Sequence, residues 1–244
     1  MEWLFDPPSR PSLAIAGSSK RFAVRRIWCV GRNYRAHVQE MGGDPQRDTP
    51  IFFAKPSDAI LQVASGEFGQ LPYPPHTADF HYEAELVVAI GQAGHNIAAE
   101  AAHAHVIGYA VGLDMTRRDA QRVAKAGGHP WELAKSFDHS AVIGELHLAT
   151  EVGHRHDGKL ALSVDGTARQ SADLSEMIWN VPLIVAHLSR WVALAPGDLI
   201  YTGTPEGVGA VTVGQRLYAS IDHLGSLAVQ VVAPKSLAAQ ADAA

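Results

Sequence analysis

The chain has 244 residues and a formal net charge of -5 at neutral pH, and it is 47% hydrophobic and 18% charged, as expected of a globular protein with one sizeable core. That balance argues against a nucleic-acid binder, which carries a concentrated basic footprint, and no apolar window is long enough to span a bilayer. The single cysteine, Cys29, excludes an intramolecular disulfide framework; with an N-terminus that lacks a secretory-signal pattern, it leads us to expect a cytoplasmic protein acting on a small molecule.

Residues 1–24, rich in Pro, Ser and Ala, read as an arm or a weakly structured edge. A single domain follows over 25–234, and 235–244 reads as a flexible tail. Arg26–Val30 is predicted as a strand ended by Gly31, and Tyr34–Met41 as a short helix stopped by Gly42-Gly43, with DPQRDTP behind it as a mobile loop. Glu85–Ile90 reads as a strand, Ala98–His105 as a helix and Val106–Met115 as another strand. Thr116 and Asp119 have the spacing of a capping box opening the helix RRDAQRVAKA, which Gly127-Gly128 closes. Asp165-Gly166 supplies the positive φ angles of a type I′ turn between Leu160–Val164 and Thr167–Gln170. Pro182 opens a helix that the apolar pattern carries through LIVAHLSRWVAL. Leu199–Thr202 then runs as a strand into the Gly-rich stretch GTPEGVG, and RLYASID with SLAVQVV forms a closing antiparallel pair. Strands outnumber helices without the regular alternation of a doubly wound sheet, so the expected class is α+β, mainly β.

The stretch HYEAE, residues 81–85, sets His81, Glu83 and Glu85 at every second position ahead of an apolar run. In a strand those side chains share one face, and two crowded carboxylates need water, a cationic side chain or a metal to offset their repulsion. A solvated strand edge is the plainer reading. Asp114 ends the apolar stretch Gly108–Asp114, where it serves either a site or the capping turn with Thr116. Convergence of Glu83, Glu85 and Asp114 would present three hard oxygen donors suited to Mg2+ or Mn2+, with His81 in a supporting position.

His37 and Glu40, three residues apart, are neighbours on one helical face. They form either a surface pair or a dyad in which the carboxylate orients an imidazole as general base. Lys135, in apolar WELAKSFD, is either exposed or faces a ligand carboxylate or developing oxyanion. Arg32, Arg118 and Gln121 are candidates for binding anionic or carbonyl oxygens. The amides and hydroxyls of GTPEGVG could hold a carboxylate, although the stretch lacks the lysine of a phosphate loop.

In order along the chain, VGRNYRAHVQEMG, FFAKPSDA, HYEAELVVAIG, GYAVGLDMTRRDAQ, PWELAKSFD and YTGTPEGVG resemble the fumarylacetoacetate hydrolase family, in particular its small acylpyruvate and fumarylpyruvate hydrolase branch. The resemblance runs from about Ile27 to Val232. It implies a mixed β-sheet rolled into that family's fold with a few peripheral helices, and usually a homodimer. It also assigns a divalent ion, Mg2+ or Mn2+, to Glu83, Glu85 and Asp114, and the water-activating dyad to His37 and Glu40. Substrate-oxygen contacts fall to Arg32, Gln121, Lys135 and Thr204, to which we add Tyr34 and Arg118. The chain departs from the pattern at Leu113, at Arg117 and in HSAVIGE after KSFD, changes expected to reshape the pocket around the far end of the substrate.

The expected chemistry is metal-dependent hydrolysis of a carbon-carbon bond in a 2,4-dioxo acid, with fumarylpyruvate preferred and fumarate and pyruvate as products. One alternative is a decarboxylase or isomerase acting on oxaloacetate or a related 2-oxo acid. Another is a non-catalytic carboxylate- or metal-binding module.

Overall fold

The computed structural model describes residues 3–6, 8–42 and 50–234. The expected tail from 235, and the expected loop after Gly43 apart from Pro50, lie outside these residues. The architecture is a curled mixed sheet with few helices, as expected. Its main sheet runs in the order β4 (Ile51–Lys55), β3 (Arg26–Gly31), β15 (Asp198–Tyr201), β8 (Ala84–Ile90), β9 (Val106–Asp114), β11 (Ala141–Ile143), β5 (Ile60–Gln62), with β12 (His147–Leu148) also paired to β9. A five-stranded sheet, β14 (Thr167–Asp173), β13 (Lys159–Val164), β17 (Arg216–Ile221), β18 (Gly225–Val232) and β6 (Phe68–Pro72), packs against β8 and β9. A third, small sheet joins β10 (Thr116–Arg117), β7 (Phe80–Tyr82) and β16 (Gly209–Ala210).

The apolar run of β8 is buried on both faces, and the two-residue period of a strand decides where each side chain goes. Leu86, Val88 and Ile90 enter the larger core with Leu162, Leu217 and Val229 of the five-stranded sheet. Val87 and Ala89 enter a second core on the opposite face, with Ile27, Cys29 and Tyr201. That second core is covered by a hairpin of β1 (Ser12–Ala14) and β2 (Arg21–Ala23), whose Leu13 and Phe22 belong to it. Part of the segment read as an arm is therefore ordered structure. Its Pro and Ser content hid two apolar residues, paired across β1 and β2, that cover the second core.

The helices are peripheral: α1 (Arg35–Glu40), α2 (Arg118–Gly127), α3 (Glu132–Lys135), α4 (Ala149–Val152) and α5 (Val181–Ser189). No helix among the described residues is long and apolar enough to cross a membrane. The expected helix at Ala98–His105 is a 3-10 helix over Ala99–His105. The Asp165-Gly166 turn has φ of 50° and 79°, as a type I′ hairpin requires.

Two local expectations fail. No capping box opens α2: the Thr116 hydroxyl donates to Glu83 and to the Asp114 carbonyl, while Asp119 accepts from Thr77 Oγ1 and the Ala78 amide in the loop ahead of β7. Helix α5 stops at Ser189 rather than running on to Leu194. There the Ser189 carbonyl accepts from Asn96 and its hydroxyl from the Ile97 amide, which takes the residue out of the helical ladder.

Candidate metal centre and active-site cleft

Glu83 is the residue between β7 and β8, where the chain leaves the small sheet for the main one. Because β8 and β9 are antiparallel, the start of one lies beside the end of the other: Glu85 is paired with Gly112, and the Asp114 amide donates to the Glu83 carbonyl at 2.8 Å. Carboxylate oxygens of Glu83, Glu85 and Asp114 consequently gather within 4.8 Å of one another, all three residues buried. His81 stays outside the cluster. The break at Glu83 uncouples it from the β8 face, and its ring nitrogens meet Asp79 at 2.8 Å and Arg118 at 3.4 Å.

Three cations surround the acids. Lys135, 2% exposed, donates through Nζ to Glu83 Oε2 at 2.7 Å and Asp114 Oδ2 at 2.8 Å. Lys55 Nζ lies 2.8 Å from Asp114 Oδ1 and donates to the carbonyls of Met115 and Lys135. Arg118 places Nη2 on Glu83 Oε1 at 2.5 Å. Burial alone would oppose ionisation of Glu83, but Lys135 and Arg118 outweigh it and hold its carboxyl well below the ordinary range. Lys135 is likewise disfavoured by burial, yet Asp114 and Glu83 raise its pKa. Glu85 goes the other way: burial, then the charges of Asp114 and Glu83, push its carboxyl well up, although the Gly203 amide donates to it at 2.7 Å. Among the described residues the three cations pair with Glu83 and Asp114, and Glu85 has only the Gly203 amide, so Glu85 is the carboxylate left for a bound cation to compensate. Three hard oxygen donors with no sulfur among them fit a divalent ion such as Mg2+ or Mn2+.

The acids open into a cleft whose walls include Glu83, Glu85, Lys135, Arg118, Gln121, Thr204, Arg32 and His37. His37 is buried on α1, and its Nδ1 lies 3.1 Å from Glu40 Oε2. Glu40 is steadied by the Gly207 amide, which donates to its other oxygen at 3.1 Å. With Nδ1 engaged, Nε2 is the ring nitrogen left to exchange a proton. Arg118 also donates to Gln121 Oε1 at 2.5 Å. A guanidinium can only donate, so the Gln121 oxygen faces the arginine and its amide N–H groups are left for the cleft.

The structure thus brings together on the cleft the proposed site residues except Asp114, which lies just behind Lys135, Glu40, which backs His37, Tyr34, and the supporting His81, which stays on Asp79 and Arg118. Tyr34 is packed in the larger core, where burial, and then the Glu85 charge, raise its hydroxyl pKa well above the ordinary value. It caps α1 from an extended backbone and turns its ring inward rather than toward the cleft. Arg118 lines the cleft, but its guanidinium is spent on Glu83, Gln121 and His81. Of the expected departures, Leu113 is core and Arg117 stacks over Phe137 at 4.4 Å; neither is among the cleft walls.

Several contributors were not singled out. Lys55 came within the motif FFAKPSDA, but with no role attached. Asn33 fixes the turn after β3 by donating to the Trp179 and Thr202 carbonyls and accepting from the Trp179 amide. That turn holds Arg32 at φ 61°, a left-handed conformation uncommon for a side chain of its size. Buried Gln170 ties the GTPEG stretch to the acids: its Oε1 accepts from the Ala84 amide, and its Nε2 donates to Thr204 and Pro205. Phe53 and Trp131, with ring centroids 5.9 Å apart, form an apolar wall.

Comparison with known proteins extends this picture. Residues 26–232 match the model of the fumarylacetoacetate (FAA) hydrolase C-terminal family. A fumarylpyruvate hydrolase from a Ralstonia species is 39% identical over 188 residues, 77% of this chain and 95% of its own. The mitochondrial oxaloacetate tautomerase FAHD1 of Homo sapiens is 38% identical over 211 residues, 86% of this chain and 93% of its own. Among solved structures, the fumarylpyruvate hydrolase of Pseudomonas aeruginosa in complex with Mn2+ and pyruvate superposes with a TM-score of 0.94 at 53% identity, covering 95% of this chain and all of that one. The residues of the cleft therefore sit on an enzyme that belongs to the fumarylacetoacetate hydrolase family.

Proposed function

We propose that the enzyme hydrolyses a carbon-carbon bond in a 2,4-dioxo acid, with fumarylpyruvate as the preferred substrate and fumarate and pyruvate as products. A divalent ion, Mg2+ or Mn2+, held by Glu83, Glu85 and Asp114 would supply Lewis-acid polarisation of the 2-oxo acid end. Arg32, on the same cleft, offers a guanidinium to that end's carboxylate. His37, oriented by Glu40, accepts a proton from water as the water oxygen bonds to the 4-oxo carbon. Lys135 has one of its three N–H groups left after Glu83 and Asp114; with the Gln121 amide it stabilises the negative charge that collects on the former carbonyl oxygen. That charge returns as the bond between the third and fourth carbons breaks. The electron pair stays on the three-carbon fragment, and the proton held by His37 completes pyruvate.

The observation that carries this reading is His37, backed by Glu40, on the same cleft as Glu83 and Glu85 of the three converging carboxylates, since a water-activating base beside a chelating site is what hydrolytic cleavage needs. The 53% identity to a fumarylpyruvate hydrolase supports it. The test is release of pyruvate and fumarate from fumarylpyruvate in Mn2+ or Mg2+, with no products in either metal as the result against it. A second reading, isomerisation or decarboxylation of oxaloacetate, is supported by the oxaloacetate tautomerase relatives. It does not require water activation, so turnover of oxaloacetate that persists in His37→Ala, with fumarylpyruvate untouched by the unaltered enzyme, would establish it instead.

A further inference from the structure

Helix α2 enters the cleft with Arg118 and Gln121 buried at its base, and one further residue of the same helix, Lys125, lines the cleft half-buried. Residues three and four apart lie on one helical face, so Gln121 and Lys125 follow one another along a single ridge. The rise of an α-helix carries Lys125 about 6 Å beyond Gln121 and about 10 Å beyond Arg118. The ridge therefore runs outward from the acids toward the mouth, changing from a guanidinium fixed on Glu83 to an amide and then to an ammonium. Trp131 and Phe53 stand on the cleft as apolar surface suited to a flat unsaturated chain.

We propose that Lys125 selects the substrate by its far end, pairing with a second carboxylate carried by the acyl group and so favouring dicarboxylic 2,4-dioxo acids over acylpyruvates with a neutral acyl group. This rests on the hydrolase reading above and gives it a specificity residue. The deeper cations on the acid side do not serve this role. Arg118 and Lys135 both lie on Glu83, at the oxo-acid end of the cleft, and Arg118 is about two helical turns short of Lys125 along α2. A substrate whose oxo-acid end lies at the carboxylates and whose acyl chain follows α2 brings its last group to Lys125.

The test compares fumarylpyruvate with acetylpyruvate, each with Mn2+, on the unaltered enzyme and on Lys125→Ala and Lys125→Arg. For Lys125→Ala, kcat/KM on fumarylpyruvate should fall about tenfold to a hundredfold, as expected for loss of a charged hydrogen bond, with the change mostly in KM. Acetylpyruvate should be cleaved as before, and Lys125→Arg should keep most of the preference. An equal fall on both compounds, or no fall on either, overturns the proposal. Should the unaltered enzyme cleave neither compound, the hydrolase reading fails and the Lys125 assignment is decided by calorimetry with 2-oxoadipate and 2-oxohexanoate. A preference for the diacid that disappears in Lys125→Ala upholds it, and one that survives, or no preference at all, overturns it.

Discussion

Lys55→Met should destabilise the metal-free enzyme and do so far less once a divalent ion is present. The ammonium of Lys55 is fully buried, 2.8 Å from Asp114 Oδ1, and it donates to the carbonyls of Met115 and Lys135. Methionine fills nearly the same volume but takes the cation from that oxygen and the donor from both carbonyls. Removing one partner of a buried ion pair costs about 3–5 kcal/mol. Because Asp114 keeps its contact with Lys135, the lower end applies, about 3 kcal/mol. For a chain of this length that lowers the unfolding midpoint by about 6–12 °C. Thermal unfolding followed by circular dichroism, in chelator and then in excess Mn2+, measures both parts. In Mn2+ the gap should narrow, because a cation beside Asp114 restores the missing compensation. A variant as stable as its parent in chelator would refute the strut role of Lys55; a gap of the same size in both conditions would refute the placement of the ion beside Asp114.

Other outcomes follow from the same geometry. His37→Ala should lower kcat for hydrolysis by about a hundredfold to ten-thousandfold, and Glu40→Gln by less, in steady-state assays of pyruvate release; an unchanged rate in His37→Ala removes the dyad from the mechanism. Chelation should abolish hydrolysis and either Mg2+ or Mn2+ restore it, while Glu85→Gln raises the metal concentration needed for half-maximal activity; full activity after exhaustive chelation contradicts the carboxylate centre. Asp119 is held below the ordinary carboxylate range: burial opposes its ionisation, but hydrogen bonds from Thr77, Ala78 and Ala120 outweigh it. An acid with a depressed folded pKa contributes stability above its unfolded value of about 3.9 and loses it as pH falls through the folded one. Asp119→Asn should accordingly lose less stability than the parent when urea midpoints are compared at pH 5 and below about pH 3, and parallel curves would show that Asp119 does not contribute.

What could be read from the chain in advance follows the range of the interactions involved. Glu83, Glu85 and Asp114 are legible because strand alternation and a strand end are local facts that already bring carboxylates to one edge. The same holds for His37 and Glu40, joined by one helical turn. Lys55 is not legible in this way. A lysine closing an apolar strand reads as the point where the chain meets water, and its partners lie some sixty to eighty residues further along. The Thr116–Asp119 spacing obeys a local rule, but Thr116 found Glu83 and the Asp114 carbonyl, Asp119 found Thr77 and Ala78, and those contacts prevailed. Tyr34 shows a related limit: a turn from strand to helix can face either a cleft or a core, and the sequence Asn-Tyr-Arg is the same in both cases.

The lone thiol has a practical consequence. Cys29 is fully buried in the second core beneath the β1–β2 hairpin, and burial raises its pKa far above that of a free cysteine. Alkylating reagents reach it only when that shell parts, so the rate of labelling at low denaturant is a clock for opening of the sheet's outer face, readable by mass spectrometry without adding a probe.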